Sequence, residues 1–261
     1  MRTLVFVHGN SSDGLPFVEH FHAFGEAGLD CLRFDLPGHG QAPRMESYSL
    51  AIFAQALVDF VHDHKLIDYV LVGHSLGGHV VLQALAQLSP TGVLIYGVSP
   101  LSTPLATDGF QTHPEMANYL VEMVSDEDLD KIAKITFSSP QLMQDFKQKF
   151  RHTDSRVRSG IVASLVSGQY VDDFATLNQA TCPVLIADCL HEHVVNRDYF
   201  HRTFPLIRNR LVETVVWPVD HTPHVNAPEL FLSETIAFAQ RLPQHSSSVN
   251  GLTFSQDNSR G

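Results

Sequence analysis

Short, almost wholly apolar runs recur along this chain, and stretches with helical spacing separate them. Leu4–Val7, Cys31–Phe34, Tyr69–Val72, Val93–Val98, Val184–Ala187 and Val212–Trp217 read as six strands. Residues 16–27 carry Phe17, Phe21 and Phe24 at helical spacing, and Tyr48–His64 places Ile52, Phe53, Ala56, Leu57, Phe60 and Val61 on one stripe. A further helix is expected over 76–89. A last one is expected over Pro228–Arg241, with proline in the first turn, where its missing N–H costs nothing. Strands that are apolar along their whole length and alternate with helices imply a mainly parallel sheet covered on both faces.

Between the fourth and fifth runs the rhythm changes. Residues 101–178 hold no strand-like run but several helical ones: Pro114–Val124, Asp126–Thr136, Pro140–Phe150 and Ser155–Ser167. Ser125 followed by Asp126, Glu127 and Asp128 has the form of a helix start, with acids where the helix dipole favours them. The expected organisation is an α/β core over 1–100 and 179–243, a helical cap over 101–178, and a flexible polar tail over 244–261.

The length of 261 residues suits one large α/β domain. A net charge of −11, with 17 Lys and Arg and no basic cluster, argues against nucleic-acid binding. Cys31, Cys182 and Cys189 form no disulfide framework and read as reduced thiols of a cytoplasmic protein. The apolar start is too short for a signal peptide, and no run is long enough to cross a membrane. Three His-x-His pairs occur, at 20/22, 62/64 and 191/193. Residues two apart on a helix do not face each other, so no metal and no cofactor is expected from the first two.

The chemistry centres on Ser75. Val70–Val72 runs into Gly73-His74-Ser75-Leu76-Gly77, and a helix pattern follows at once. A Gly-x-Ser-x-Gly between strand and helix exposes the serine on a tight turn as a nucleophile, and a side chain at either glycine would crowd that turn. The hydroxyl needs a base, and the base needs an orienting acid; in this setting the chain order is Ser, Asp or Glu, His. The loop after the sixth strand offers His221 as base, with His224 as its competitor. The loop after the fifth offers Glu192 as acid, far enough along to reach His221, with Asp188 as the alternative. The N–H groups of Leu76, at a helix N-terminus, and of Asn10, in His8-Gly9-Asn10, are the candidate oxyanion donors. The Asn10 side chain reads equally as a substrate contact or as a loop-stabilising Asx turn. Met116, Tyr119 and Phe137 are candidate pocket residues within an otherwise core-forming apolar set. His39 and His74 read as packing residues.

In that order, His8-Gly9, Asp35-Leu36-Pro37-Gly38-His39-Gly40, Gly73–Gly78, Glu192 and His221 resemble the α/β-hydrolase superfamily over about 3–241. A narrower resemblance is to the α/β-hydrolase-type N-acyl-homoserine lactonases. It rests on His8–Ser12, Ser47-Tyr48-Ser49, Gly78-His79, and the cap stretches Gly109–Met116 and Ser125–Asp128. That resemblance implies a glutamate acid at Glu192 and opening of a lactone ring by Ser75. The expected activity is that of a serine hydrolase acting on a small-molecule ester or lactone. A general carboxylesterase, a carbon–carbon bond hydrolase and a receptor-like binding protein with slow turnover stay open as alternatives.

Overall fold

The computed structural model describes residues 1–109, 119–137 and 139–244. Its centre is a six-stranded sheet built from β1 (Arg2–Val7), β2 (Leu29–Phe34), β3 (Tyr69–His74), β4 (Gly92–Tyr96), β5 (Val184–Cys189) and β6 (Val212–Trp217). The order is β2-β1-β3-β4-β5-β6, and every pairing is parallel. The chain therefore runs outward from β1 to β2, then crosses back to β3. The C-terminal ends of β1 and β3 flank the point where the direction of winding reverses, the place where open α/β sheets form their crevice. Val7 pairs with Gly73, which sets the loop beginning at His8 beside the loop holding Ser75.

The alternation of side chains along each strand divides the core in two. Val5, Val7, Leu71, Val93 and Ile95 face α3 (Leu50–Asp63) and α4 (Leu76–Ala84). Leu4, Phe6, Val70, Val72, Leu94 and Tyr96 face α1 (Leu15–Val18), α2 (Phe21–Glu26) and α11 (Pro228–Arg241). On the second face Phe6 meets Phe17 and Phe24 with ring centroids 5.0 and 5.4 Å apart. Both faces of the central strands are thus dry, which explains their unbroken apolar sequence.

The expected single helix over 16–27 is two short ones. His20 stands between them, with its ring buried and donating to the carbonyl of His224 at 2.7 Å. Between β4 and β5 lie α5 (Asp126–Thr136), α6 (Pro140–His152), α7 (Arg156–Val166) and α8 (Asp173–Gln179). Of these, α5 and α6 share a small core of Leu129, Ile132, Ala133, Phe146 and Phe150. The Ser125 hydroxyl accepts from the Asp128 N–H at 3.1 Å, the cap that its sequence predicts. The helix expected over Pro114–Val124 is a correction in its described part. Residues 119–120 make a single tight turn and 121–124 are not helical; the Arg158 guanidinium donates to the carbonyls of Val121 and Glu122 at 2.7 and 2.8 Å. Three helices had no clear sequence signal: α8, α9 (Arg197–Thr203) and α10 (Pro223–Asn226). Apart from Gln244, the expected tail over 244–261 lies outside the described residues, as does Met116. No described helix is long and apolar enough to cross a membrane.

Candidate active site

Ser75 closes β3 and caps α4 with φ 51° and ψ −119°. That conformation costs a non-glycine residue about 1–3 kcal/mol, so its surroundings must impose it. The Ser75 N–H donates to the Tyr96 carbonyl at 2.9 Å, and the Ser75 carbonyl accepts from Gly78 and His79 at 2.9 and 3.2 Å. A Cβ on Gly77 would run into the carbonyl oxygens of Val7 and His8, so only glycine lets α4 start this close to β1. A Cβ on Gly9 would stand 3.3 Å from the Ser75 Cβ, which puts the Gly9–Ser12 loop against the serine. Leu76 N–H lies in the first turn of α4, where intrahelical acceptors are lacking.

His221, buried in the loop between β6 and α10, donates through Nδ1 to Glu192 Oε2 at 2.8 Å. The other carboxylate oxygen, Oε1, accepts from the backbone N–H groups of His193, Val194 and Val195 at 2.9, 2.7 and 3.3 Å. Burial by itself would raise the Glu192 carboxyl, but His221 and these amides outweigh it and hold the group below its usual range, as the anion. Asp188, the alternative acid, is engaged elsewhere. Arg197 grips it in a fork at 2.7 and 2.6 Å, and His201 Nε2 adds a contact at 2.7 Å. The Ser75 hydroxyl makes no side-chain hydrogen bond among the described residues, although it lines the same cavity as His221; unliganded hydrolase sites commonly tighten only on substrate binding.

The remaining histidines form the frame. His74 Nε2 donates to the His221 carbonyl at 3.0 Å and its ring stacks on Tyr96, so it fixes the loop that carries His221. His8 donates through Nδ1 to the Gly9 carbonyl at 2.8 Å and accepts the Leu36 N–H on Nε2 at 3.0 Å. His39 accepts the Ser11 N–H on Nε2 at 3.1 Å. Burial pushes the His8 ring below its ordinary value and the His39 and His74 rings well below theirs, so all three act as neutral props. His224 is directed away from the base role, with its Nδ1 against the Tyr96 hydroxyl at 3.2 Å.

A cavity of about 440 Å³ opens over Ser75, bounded by Asn10, His221 and His224 below and by Tyr119, Phe137 and Phe146 above. Tyr119 does more than line it: its hydroxyl donates to the Asn10 carbonyl at 2.5 Å. Asn10 is buried, its Oδ1 accepts from the Ser11 hydroxyl at 3.2 Å, and its Nδ2 has no partner among the described residues. Lys149, at the rim, is paired with Asp13 at 2.9 Å. His20 is buried while His22 is exposed, so that pair does not converge, and no metal-ligating cluster forms among the described residues. Sequence reasoning missed the positioning contacts of His74, Tyr119 and Arg158, since each depends on a partner far away in the chain.

A parallel sheet wound in this order, with a serine on a strained strand–helix turn after β3 and a Glu–His pair from the loops after β5 and β6, defines a hydrolase fold. The chain belongs to the alpha/beta hydrolase family, which it matches over residues 4–234. Among solved structures it is similar to the N-acyl homoserine lactonase AidH complexed with N-butanoyl homoserine: TM-score 0.78, 25% identity, covering 94% of this chain and 92% of that one. It is also similar in fold to the esterase RhEst1 from Rhodococcus sp. ECU1013: TM-score 0.75, 21% identity, covering 93% and 91%. A Mycoplasma genitalium protein named for an esterase or lipase activity is 22% identical over 254 residues, covering 92% of this chain and 90% of that protein.

Proposed function

We propose that the protein is a serine hydrolase that opens a neutral lactone or ester through an acyl-enzyme on Ser75, with an N-acyl-homoserine lactone as its substrate. The observation that carries this reading is the buried Glu192–His221 hydrogen bond beside a serine held at φ 51° in one cavity. Ser75 Oγ attacks the ring carbonyl carbon and gives its proton to His221 Nε2. Glu192 stabilises the imidazolium and fixes the ring through Nδ1. The Asn10 and Leu76 N–H groups receive the oxyanion, each typically worth about 3–4 kcal/mol of barrier. Collapse breaks the ring C–O bond, and the released alkoxide takes the proton from His221. Water, deprotonated by the same ring, then hydrolyses the ester on Ser75, and the product is the ring-opened acyl-homoserine.

The helices between β4 and β5 act as the cap, with Tyr119 and Phe137 lining the cavity that holds the serine. An acyl chain under Phe137 and Phe146 gains roughly 0.8 kcal/mol per buried CH₂. Likeness to a lactonase over nearly the whole chain supports the lactone, and likeness to esterases supports the reaction class. The test is incubation with short- and long-chain acyl-homoserine lactones, read by mass spectrometry. The expected result is a gain of one water, lost in Ser75→Ala while circular dichroism stays native. Rapid cleavage of aryl esters with intact lactones would instead make the protein a carboxylesterase. Full activity in Ser75→Ala would remove the serine mechanism altogether.

A further inference from the structure

Three buried histidines line the cavity beside His221: His20 and His74 each spend Nε2 on a backbone carbonyl, and the proposed mechanism leaves the third, His224, unused. His224 sits three residues beyond His221, on α10, with its ring stacked on Phe17 at 4.7 Å between centroids. Its carbonyl accepts from His20 Nε2 at 2.7 Å, so its backbone is fixed as well. The Tyr96 hydroxyl, fully buried, has the His224 Nδ1 as its hydrogen-bond partner among the described residues, at 3.2 Å. A buried hydroxyl must place its proton on an acceptor, so Tyr96 donates to Nδ1. The ring hydrogen is thereby assigned to Nε2, which finds no acceptor among the described residues while the ring lines the cavity. Asn10 Nδ2 is likewise buried on the cavity wall and unpartnered among the described residues. The cation at the rim, Lys149, is already neutralised by Asp13.

We infer that His224 is a specificity residue: a fixed, neutral N–H donor that reads a second, uncharged acceptor of the substrate, such as an amide carbonyl on the acyl side of the scissile bond. The inference rests on the proposed hydrolase reading and narrows its substrate class. Three features support it. Burial and the neighbouring histidines keep the ring uncharged, so it offers a donor but no attraction for a carboxylate. The stack on Phe17 and the bond to Tyr96 lock its orientation, so little freedom is lost on binding. A buried donor left unpaired by the wrong substrate carries a desolvation penalty, which is how a polar site discriminates against an isostere lacking the acceptor.

The experiment compares two aryl esters of matched length, p-nitrophenyl N-butanoylglycinate, which carries the amide, and p-nitrophenyl heptanoate, which does not. The ratio of their kcat/KM values is measured in the wild type, in His224→Phe, which keeps the stack on Phe17, and in His224→Gln, which keeps a donor. Intrinsic reactivity cancels when the ratios are compared between enzymes. The expected result is a fall of about tenfold or more in the amide-to-alkyl ratio for His224→Phe, with partial recovery in His224→Gln. An unchanged ratio in His224→Phe overturns the assignment while leaving the serine hydrolase reading intact. Should His224→Phe not fold, an unchanged ratio in His224→Gln together with no wild-type preference beyond that of alkaline hydrolysis overturns it equally. If Ser75→Ala cleaves both esters as fast as the wild type, the hydrolase reading fails, and this inference with it.

Discussion

The choice between Glu192 and Asp188 turns on who else holds each carboxylate. Asp188 lies at the end of β5 and Glu192 in the loop after it, and both side chains are buried, yet Glu192 meets His221 and Asp188 meets Arg197 and His201. Their substitutions are therefore expected to separate. Glu192→Gln removes the charge that stabilises the imidazolium, and kcat should fall by about 10²–10⁴ with little change in melting temperature. Asp188→Asn should do the reverse, costing roughly 1–3 kcal/mol of stability by weakening the grip of Arg197 while leaving kcat within a few-fold. Steady-state kinetics beside urea unfolding read both, and a large kcat loss in Asp188→Asn would reverse the assignment. Tyr119 presents a second residue-scale case. Its hydroxyl sets the Asn10 carbonyl, hence the plane of the peptide that follows, and through Asn10 the loop offered to the oxyanion. Tyr119→Phe keeps the ring against Phe146 and Phe150 and should lower kcat about tenfold at nearly constant KM, the signature of a positioning residue. A rise in KM at constant kcat would make Tyr119 a simple substrate contact.

The elements show where a sequence speaks and where it is silent. Strands were legible because both sheet faces are dry, so Tyr69–His74 and Val184–Cys189 are apolar almost throughout. The long helix α3 was legible from its stripe, and the start of α5 from Ser125 and its acids. By contrast α9 has seven residues with only Tyr199 and Phe200 buried, too few to show a period, and its start rests on Asn196 accepting from Asp198 and Tyr199. The order Ser75, Glu192, His221 was legible because loop position after successive strands limits the candidates. The props were not: His74 meets the His221 carbonyl, and Arg158 meets Val121, across contacts that no local pattern encodes. One element-scale prediction follows from the close approach of α4 to β1. Gly77→Ala places a methyl group against the backbone oxygens of Val7 and His8, and neither strand nor helix can yield without breaking the sheet. The expected outcome is loss of soluble folded protein or a melting temperature lowered by about 6–12 °C, corresponding to roughly 3 kcal/mol for a domain of this size. A variant that melts like the wild type would show that α4 can shift away from β1.

At the scale of the whole molecule, the frame of neutral histidines ties stability to pH. His8, His39, His74 and His224 are buried, and burial holds each below the ordinary value of 6.5, the last three well below it. On unfolding each returns to that ordinary value. Below pH 6.5 the unfolded chain therefore binds protons that the native state does not, and stability must fall as pH falls. Each such ring contributes a slope that is about half of 1.4 kcal/mol per pH unit at 6.5, approaches 1.4 between there and its own folded value, and fades over the unit above 6.5 as the unfolded ring also becomes neutral. Glu192 adds to the loss only lower down, because its depressed carboxyl begins to matter below the ordinary carboxylate value. The acid limb of stability should thus begin one to two pH units above the range where carboxylates usually start it. Urea unfolding at pH 7.5, 6.5 and 5.5 should show a drop of about 1 kcal/mol between the first two and one roughly three times larger to the third, with an uptake on unfolding of about three to four protons per molecule near pH 5.5. His39→Asn, which keeps an acceptor for the Ser11 N–H, should reduce that uptake by about one proton. Equal stability at pH 7.5 and 5.5 would mean that the rings take up protons in the folded state, and the neutral frame around Ser75 would then have to be abandoned.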